Sequence, residues 1–374
     1  MLRFKNGKFK IMQIADVQDT WITSQDTINF IGTAIDKEKP DLVIFTGDQV
    51  KSYGITMLIG NKSTNIEKTI RNILEPVTSR NVPFTFTYGN HDVPYGAAKS
   101  DQTKVYESYP QCVNSESFSS LNSTDGICLT IHCENDDSIK FAITLIDSQA
   151  KTNGKYDGVS EEQIQWTERT LRALTEANGG RLVPTLVFQH IPVYEMYEIL
   201  KRVDKDTPGA IEGNSSHREK YYTITDEMAK RGEYMKENIA CPDKTTRQFE
   251  SWVSLKNVLG AFFGHDHINC FIGNLRGIDL GYTPGAGFNV YGPGYDRAVR
   301  IFELDESSTG YRTRIVTYRD VLGEKVKNKL KFFIYEHAPS SVDAAKPLIK
   351  KAGIAIGALA VAGIAVGIIK SKIN

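Results

Sequence analysis

The chain has 374 residues, 24% of them charged and 40% hydrophobic, with 45 basic side chains balancing 45 acidic ones. A formal charge of zero excludes bulk attraction to nucleic acid or an acidic surface, so no nucleic-acid partner is expected, and an acidic substrate has to be held locally. Five dispersed cysteines without a CxxC pair (Cys112, Cys128, Cys133, Cys241, Cys270) exclude a zinc ribbon and suit a reducing compartment.

In chain order, Met1 to Lys5 shows no apolar run of signal-peptide type, so no cleaved leader is expected. Residues 9–14 predict a strand that ends at Asp16 and Gln18, and 27–37 carry a helical apolar stripe. The continuous run 42–45 predicts a buried strand closing on Gly47-Asp48. A helix over 65–79 and a strand over 83–88 follow, the strand ending at Gly89-Asn90-His91-Asp92. This alternation predicts right-handed crossovers around a parallel sheet. Residues 94–124 are polar and predict a long surface excursion, while 127–131 and 141–146 flank the turn Asn135-Asp136-Asp137 and predict a hairpin. A helix over 161–177 is opened by Ser160 with Gln163 three residues on. A strand over 182–188 ends at His190. Residues 194–247 read as helices and loops shaping a pocket rim. The strand 258–263 runs into Gly264-His265-Asp266-His267, and 277–282, 298–304 and 311–318 predict antiparallel strands. Residues 352–369 are unbroken Ala, Gly, Ile, Val and Leu between Lys350-Lys351 and Lys370. As a helix they would span roughly 27 Å, the length of a membrane crossing. The expected organisation is a catalytic domain over 1–336, a linker over 337–349, and a single-pass C-terminal transmembrane tail anchor over 350–374, with the catalytic domain facing the cytosol. The pairs Gly353/Gly357 and Gly363/Gly367 suggest self-association of such helices.

Asp16 with Gln18, Asp48, Asn90 with His91, His190 and the His265/His267 pair all follow apolar strands. A single Asp or His after a strand is more often a turn former or a cap. Five such positions in one chain point instead to a shared site, because ligands of open α/β sheets bind at the strands' carboxyl ends. Two carboxylates, amides and three imidazoles can hold two divalent or trivalent ions (Mn, Fe, Zn or Mg) that share one carboxylate. Such a pair clamps a phosphoryl group and acidifies water.

The series Asp16-x-Gln18, Gly47-Asp48, Gly89-Asn90-His91-Asp92, His190 and Gly264-His265-Asp266-His267 resembles the motifs of calcineurin-like metallophosphoesterases over roughly residues 8–305. Leu145-Ile146-Asp147-Ser148, Gln163-x-x-Trp166 and His190-Ile191-Pro192 with Glu195 resemble the fungal cell-cycle phosphatase and plant purple-acid-phosphatase-like branch. The resemblance implies a four-layer αββα sandwich with mixed sheets. It implies that Asp48 bridges the ions, that Asp16, Gln18 and His267 complete one site, and that Asn90, His190 and His265 complete the other. It also implies His91 as general acid or charge stabiliser, Asp92 orienting it, and in-line attack by a metal-bridging hydroxide. Two positions depart from the family. Gln18 stands where histidine is commoner, and Lys51 stands where purple acid phosphatases place an iron-binding tyrosine, so no tyrosinate colour is expected.

The function expected first is a phosphomonoesterase, a phosphoprotein phosphatase among the options. A phosphodiesterase on nucleotides or lipid head groups is second, and a non-catalytic interaction module on the same fold is third. Outside the series, His132, Trp166 and Cys270 read as packing residues, His217 and His337 as solvated, Asp147 as a turn residue, and Tyr282 with 285–288 as a groove lining.

Overall fold

A strand that is apolar on both sides, such as Leu42–Thr46, is stable only where each face meets another layer. In the computed structural model, which describes residues 1–92, 98–148, 151–152 and 155–339, every residue of that strand is buried. Its side chains alternate between two cores. Val43 and Phe45 pack with Phe30, Ile31 and Ile70 of the helices Gln25–Glu38 and Lys62–Thr78. Leu42 and Ile44 instead pack with Ile143, Leu145, Phe188 and Phe262 of a second sheet. On that sheet's far side, Ala142, Ile146, Val187 and Ala261 pack with Ile164, Leu171 and Trp252 of the helices Glu161–Ala177 and Gln248–Leu255. The layers are therefore helix, sheet, sheet, helix.

The first sheet has five strands in the order Tyr311–Thr317, Ala298–Asp305, Lys8–Ile14, Leu42–Thr46, Phe84–Thr87, the last three parallel. The second has eight, and its run Ile139–Ile146, Thr185–Gln189, Val258–Phe263, Ile278–Tyr282 is parallel throughout. Both sheets are mixed, since the 298–305, 311–317 and 126–132 strands join antiparallel.

Several expectations are corrected here. The Ile278–Tyr282 strand is not antiparallel to Ala298–Asp305. It pairs parallel with Val258–Phe263 in the other sheet, and the short Ile272–Leu275 strand forms its antiparallel edge neighbour. The connection 283–297 then crosses from one sheet to the other, a route no local pattern marks. The described part of 94–124 is not featureless: it holds the helix Lys99–Glu107 and the strand Ser119–Leu121. Two short helices, Tyr318–Leu322 and Lys329–Glu336, follow the last strand. The apolar stretch 352–369 with its GxxxG pairs lies outside the described residues. Among the described residues no helix is long and apolar enough to cross a membrane. The expected tail anchor, its membrane partner and its cytosol-facing topology are therefore withdrawn, and self-association through those glycines has no support.

Candidate metal centre

The parallel strands of both sheets end at one edge, and their first non-strand residues meet there. The chain leaves the strands in left-handed conformations, with φ of 52° at Asp16, 34° at Gln18, 53° at Asp48 and 77° at His265. Each costs an L-residue about 1–2 kcal/mol, and such strain persists where the surroundings over-determine it. They do here. Asp16 Oδ2 accepts from His265 N at 2.9 Å, Gln18 N donates to Asp48 O at 2.8 Å, and Asp48 N donates to Asp92 Oδ2 at 2.6 Å. A side chain on Gly89 would collide with Asp48 Oδ1, and one on Gly264 would stand 2.5 Å from Asp16 Oδ2. Only glycine lets the two motif loops approach so closely.

Two buried triplets each bring their ligand atoms within 4.8 Å of one another: Asp48, His190 and His265, and Asp16, Asp48 and His267. Asp48 belongs to both. His190 Nε2 lies 3.2 Å from each of Asp48 Oδ2, Asn90 Oδ1 and His265 Nδ1. The other ring nitrogen, Nδ1, faces the Thr46 carbonyl at 3.1 Å, an acceptor that requires the proton there. In the neutral ring Nε2 is then a bare lone pair facing two amide or carboxylate oxygens and a second ring nitrogen, a donor set that a cation satisfies. His267 repeats the device. Its Nδ1 faces Tyr291 O at 3.0 Å, and its Nε2 stands 3.3 Å from Asp16 Oδ1. That buried oxygen accepts no well-directed hydrogen bond of its own. These mixed O and N donors fit a pair of divalent or trivalent ions, and such a pair is the cofactor.

Charge follows the same geometry. Burial opposes ionisation of Asp48, but His190 and His91 outweigh it and hold the carboxyl well below its usual range. Burial likewise opposes charge on His190, yet Asp48 and Asp16 push its pKa up to about 10. Burial, reinforced by Asp48, pushes Asp92 up to about 7.

The remaining expected residues sit as follows. His91 donates its backbone N–H to Asp48 Oδ1 at 2.7 Å, and its half-buried ring lies against Tyr53. Asp92 accepts from the amides of Asp48, Gly89 and Val50, so its visible partners are the ligand-bearing loops rather than His91. Gln18 reaches Asp48 Oδ2 at 2.7 Å through Nε2, while its Oε1 accepts from Tyr53. Lys51 turns away from the centre. It donates to Asn289 O at 2.7 Å and Tyr335 Oη at 3.2 Å, and burial lowers its pKa to about 8. Asp147 takes the Lys99 ammonium. His217, expected to be solvated, is buried and stacked 3.7 Å from Tyr197. Gly285 and Gly287 pack on the backs of His267 and Asp16 and on Val17, supporting the site from behind.

The sequence reading missed Tyr53, Glu237 and Tyr291. The Tyr291 ring stacks on His267 at 4.2 Å with the planes 5° apart, and its hydroxyl donates to Glu237 Oε2 at 3.0 Å. Glu237 Oε1 accepts Ile268 N at 2.7 Å, and burial pushes this carboxyl up to about 7. All three come from loops with no periodic or motif signal.

The model of the calcineurin-like phosphoesterase family matches residues 9–269. The chain is 25% identical over 353 residues to probable inactive purple acid phosphatase 14 of Arabidopsis thaliana, covering 83% of this chain and 79% of that protein. It is 26% identical over 219 residues to phosphatase DCR2 of Saccharomyces cerevisiae, covering 52% of this chain and 36% of that one. Among solved structures, GAP50, the anchor in the inner membrane complex of Plasmodium, is similar in fold. Its TM-score is 0.51 at 12% identity, over 88% of this chain and 94% of that chain.

Proposed function

Because the chain belongs to the calcineurin-like phosphoesterase family, and is thus a hydrolase of phosphoric esters, we propose that it acts on phosphomonoesters, phosphoproteins being one substrate class. The observation that carries this reading is the sharing of Asp48 by two buried ligand triplets. In it, Asp16, Gln18 and His267 would hold one ion, Asn90, His190 and His265 would hold the other, and Asp48 would serve both. Ions held there supply Lewis acidity toward phosphoryl oxygens and lower the pKa of water toward neutrality. The residues do the rest. His91, tethered to Asp48 through its own amide and set against Tyr53, presents its half-buried imidazole to protonate the departing alkoxide. Asp92 holds the two ligand-bearing loops together through three amides. A covalent route through Cys112 or Cys128 is disfavoured, since burial pushes both thiols up to about 12. The monoester preference is supported by the relatives' names, both phosphatases, although the Arabidopsis relative is named inactive.

The test is to load the full chain with manganese, iron or zinc and compare a chromogenic phosphomonoester with a bis-ester. His91→Ala is expected to lower kcat by about 10²–10⁴-fold with ion content retained. Asp48→Asn is expected to lose both activity and ions. Faster turnover of the bis-ester would favour a phosphodiesterase, and inert wild type with every ion would leave a non-catalytic module.

A further inference from the structure

Tyr53 stands five residues after Asp48. Its hydroxyl donates to Gln18 Oε1 at 3.1 Å, and its ring lies 4.9 Å from the His91 ring, the planes 52° apart. The other end of the Gln18 amide, Nε2, donates to Asp48 Oδ2 at 2.7 Å. A carboxamide binds a cation through its oxygen, because its nitrogen offers only N–H donors. The orientation that puts Nε2 on Asp48 is therefore the one suited to a bare carboxylate, and ligation requires the amide to turn over. A half-turn about its last bond exchanges the ends, bringing Oε1 to the Asp48 side and Nε2 to Tyr53. The buried Nε2 then needs an acceptor where Oε1 formerly needed a donor. A phenol hydroxyl is both. A main-chain carbonyl or an ammonium could serve only one of the two orientations.

We propose that Tyr53 is a positioning residue that makes glutamine workable as a metal ligand at position 18, by partnering either end of its amide. The Tyr53 ring links that amide to His91, so the same side chain ties the first ion site to the proton donor. This inference rests on the reading of Gln18 as a ligand.

The experiment is calorimetric titration of the metal-free full chain with Mn²⁺, with ion content measured after dialysis. Tyr53→Phe keeps the ring against His91 and removes only the hydroxyl. It is expected to weaken one of the two ions by about 10–100-fold, the usual cost of losing a ligand's hydrogen-bond partner, and to leave the other unchanged. Gln18→Ala should weaken the same ion at least as much, and the double variant should bind no worse than Gln18→Ala alone. In Gln18→Glu, where either carboxylate oxygen can ligate without the side chain turning over, Tyr53→Phe should cost little. A general folding defect would carry over into that background and would overturn the inference. So would wild-type affinity in Tyr53→Phe while Gln18→Ala is weakened, an outcome that leaves Gln18 as a ligand. Wild-type affinity in Gln18→Ala would overturn both.

Discussion

At the scale of the residue, the centre is a competition between protons and ions for the same lone pairs. In the ion-free protein His190 holds its extra proton against burial because Asp48 and Asp16 face it, with a pKa of about 10. A pKa raised on folding contributes stability that is fully present below the unfolded value, about 6.5, and is lost as pH rises through about 10. Ion binding has the opposite dependence, since Nε2 must first lose that proton. Mn²⁺ affinity is therefore expected to rise between pH 6.5 and 8.5, by up to about tenfold per unit for each proton displaced. Calorimetry in buffers of different protonation enthalpy should show at least one proton released per two ions bound. A pH-independent affinity with no proton release would show that His190 is not where an ion binds.

At the scale of the element, what matters is how strands end. Each candidate ligand follows a parallel strand, and at Asp16, Asp48 and His265 the chain turns through a left-handed residue held by a hydrogen bond with a neighbouring loop. Gly264→Ala puts a methyl group 2.5 Å from Asp16 Oδ2 and 3.0 Å from Ala15 Cβ. Asp16 has to move, and through it the amide of His265. The expected result is a loss of about 1–3 kcal/mol of stability together with weakened ion binding, read by urea melts and by ion content after dialysis. Wild-type ion content in Gly264→Ala would mean that the loop spacing does not set the ligand geometry.

At the scale of the whole molecule, the helix Lys329–Glu336 closes the fold after the last strand. Phe332 stacks on Tyr295 at 4.4 Å and lies 6.2 Å from Phe288, and Tyr335 accepts a hydrogen bond from Lys51, three residues past Asp48. Our proposed limit of the catalytic unit, residue 336, makes this helix part of it. Phe332→Ala is expected to cost about 3 kcal/mol and to lower the thermal midpoint of the ion-free protein, and an unchanged midpoint would count against that limit. Much of this architecture was legible in the sequence. The runs 42–45 and 258–263 announce strands covered on both faces, because they are apolar throughout. The polar residues after them stand out for the same reason, and Asp16, Asp48, His190, His265 and His267 could be named without coordinates. Local pattern does not carry pairing partners or the path between sheets, so the parallel pairing of Ile278–Tyr282 with Val258–Phe263 is not legible in it. It also could not show which loops come to lie behind the ligands. Tyr53 meets Gln18 because the strands before them, Leu42–Thr46 and Lys8–Ile14, are parallel neighbours in one sheet, and Tyr291 and Glu237 reach His267 and Ile268 from loops distant in the chain. The candidate ligands are written in residue type and strand position. Ligand orientation depends on hydrogen bonds between residues far apart in the chain, and only tertiary packing decides those.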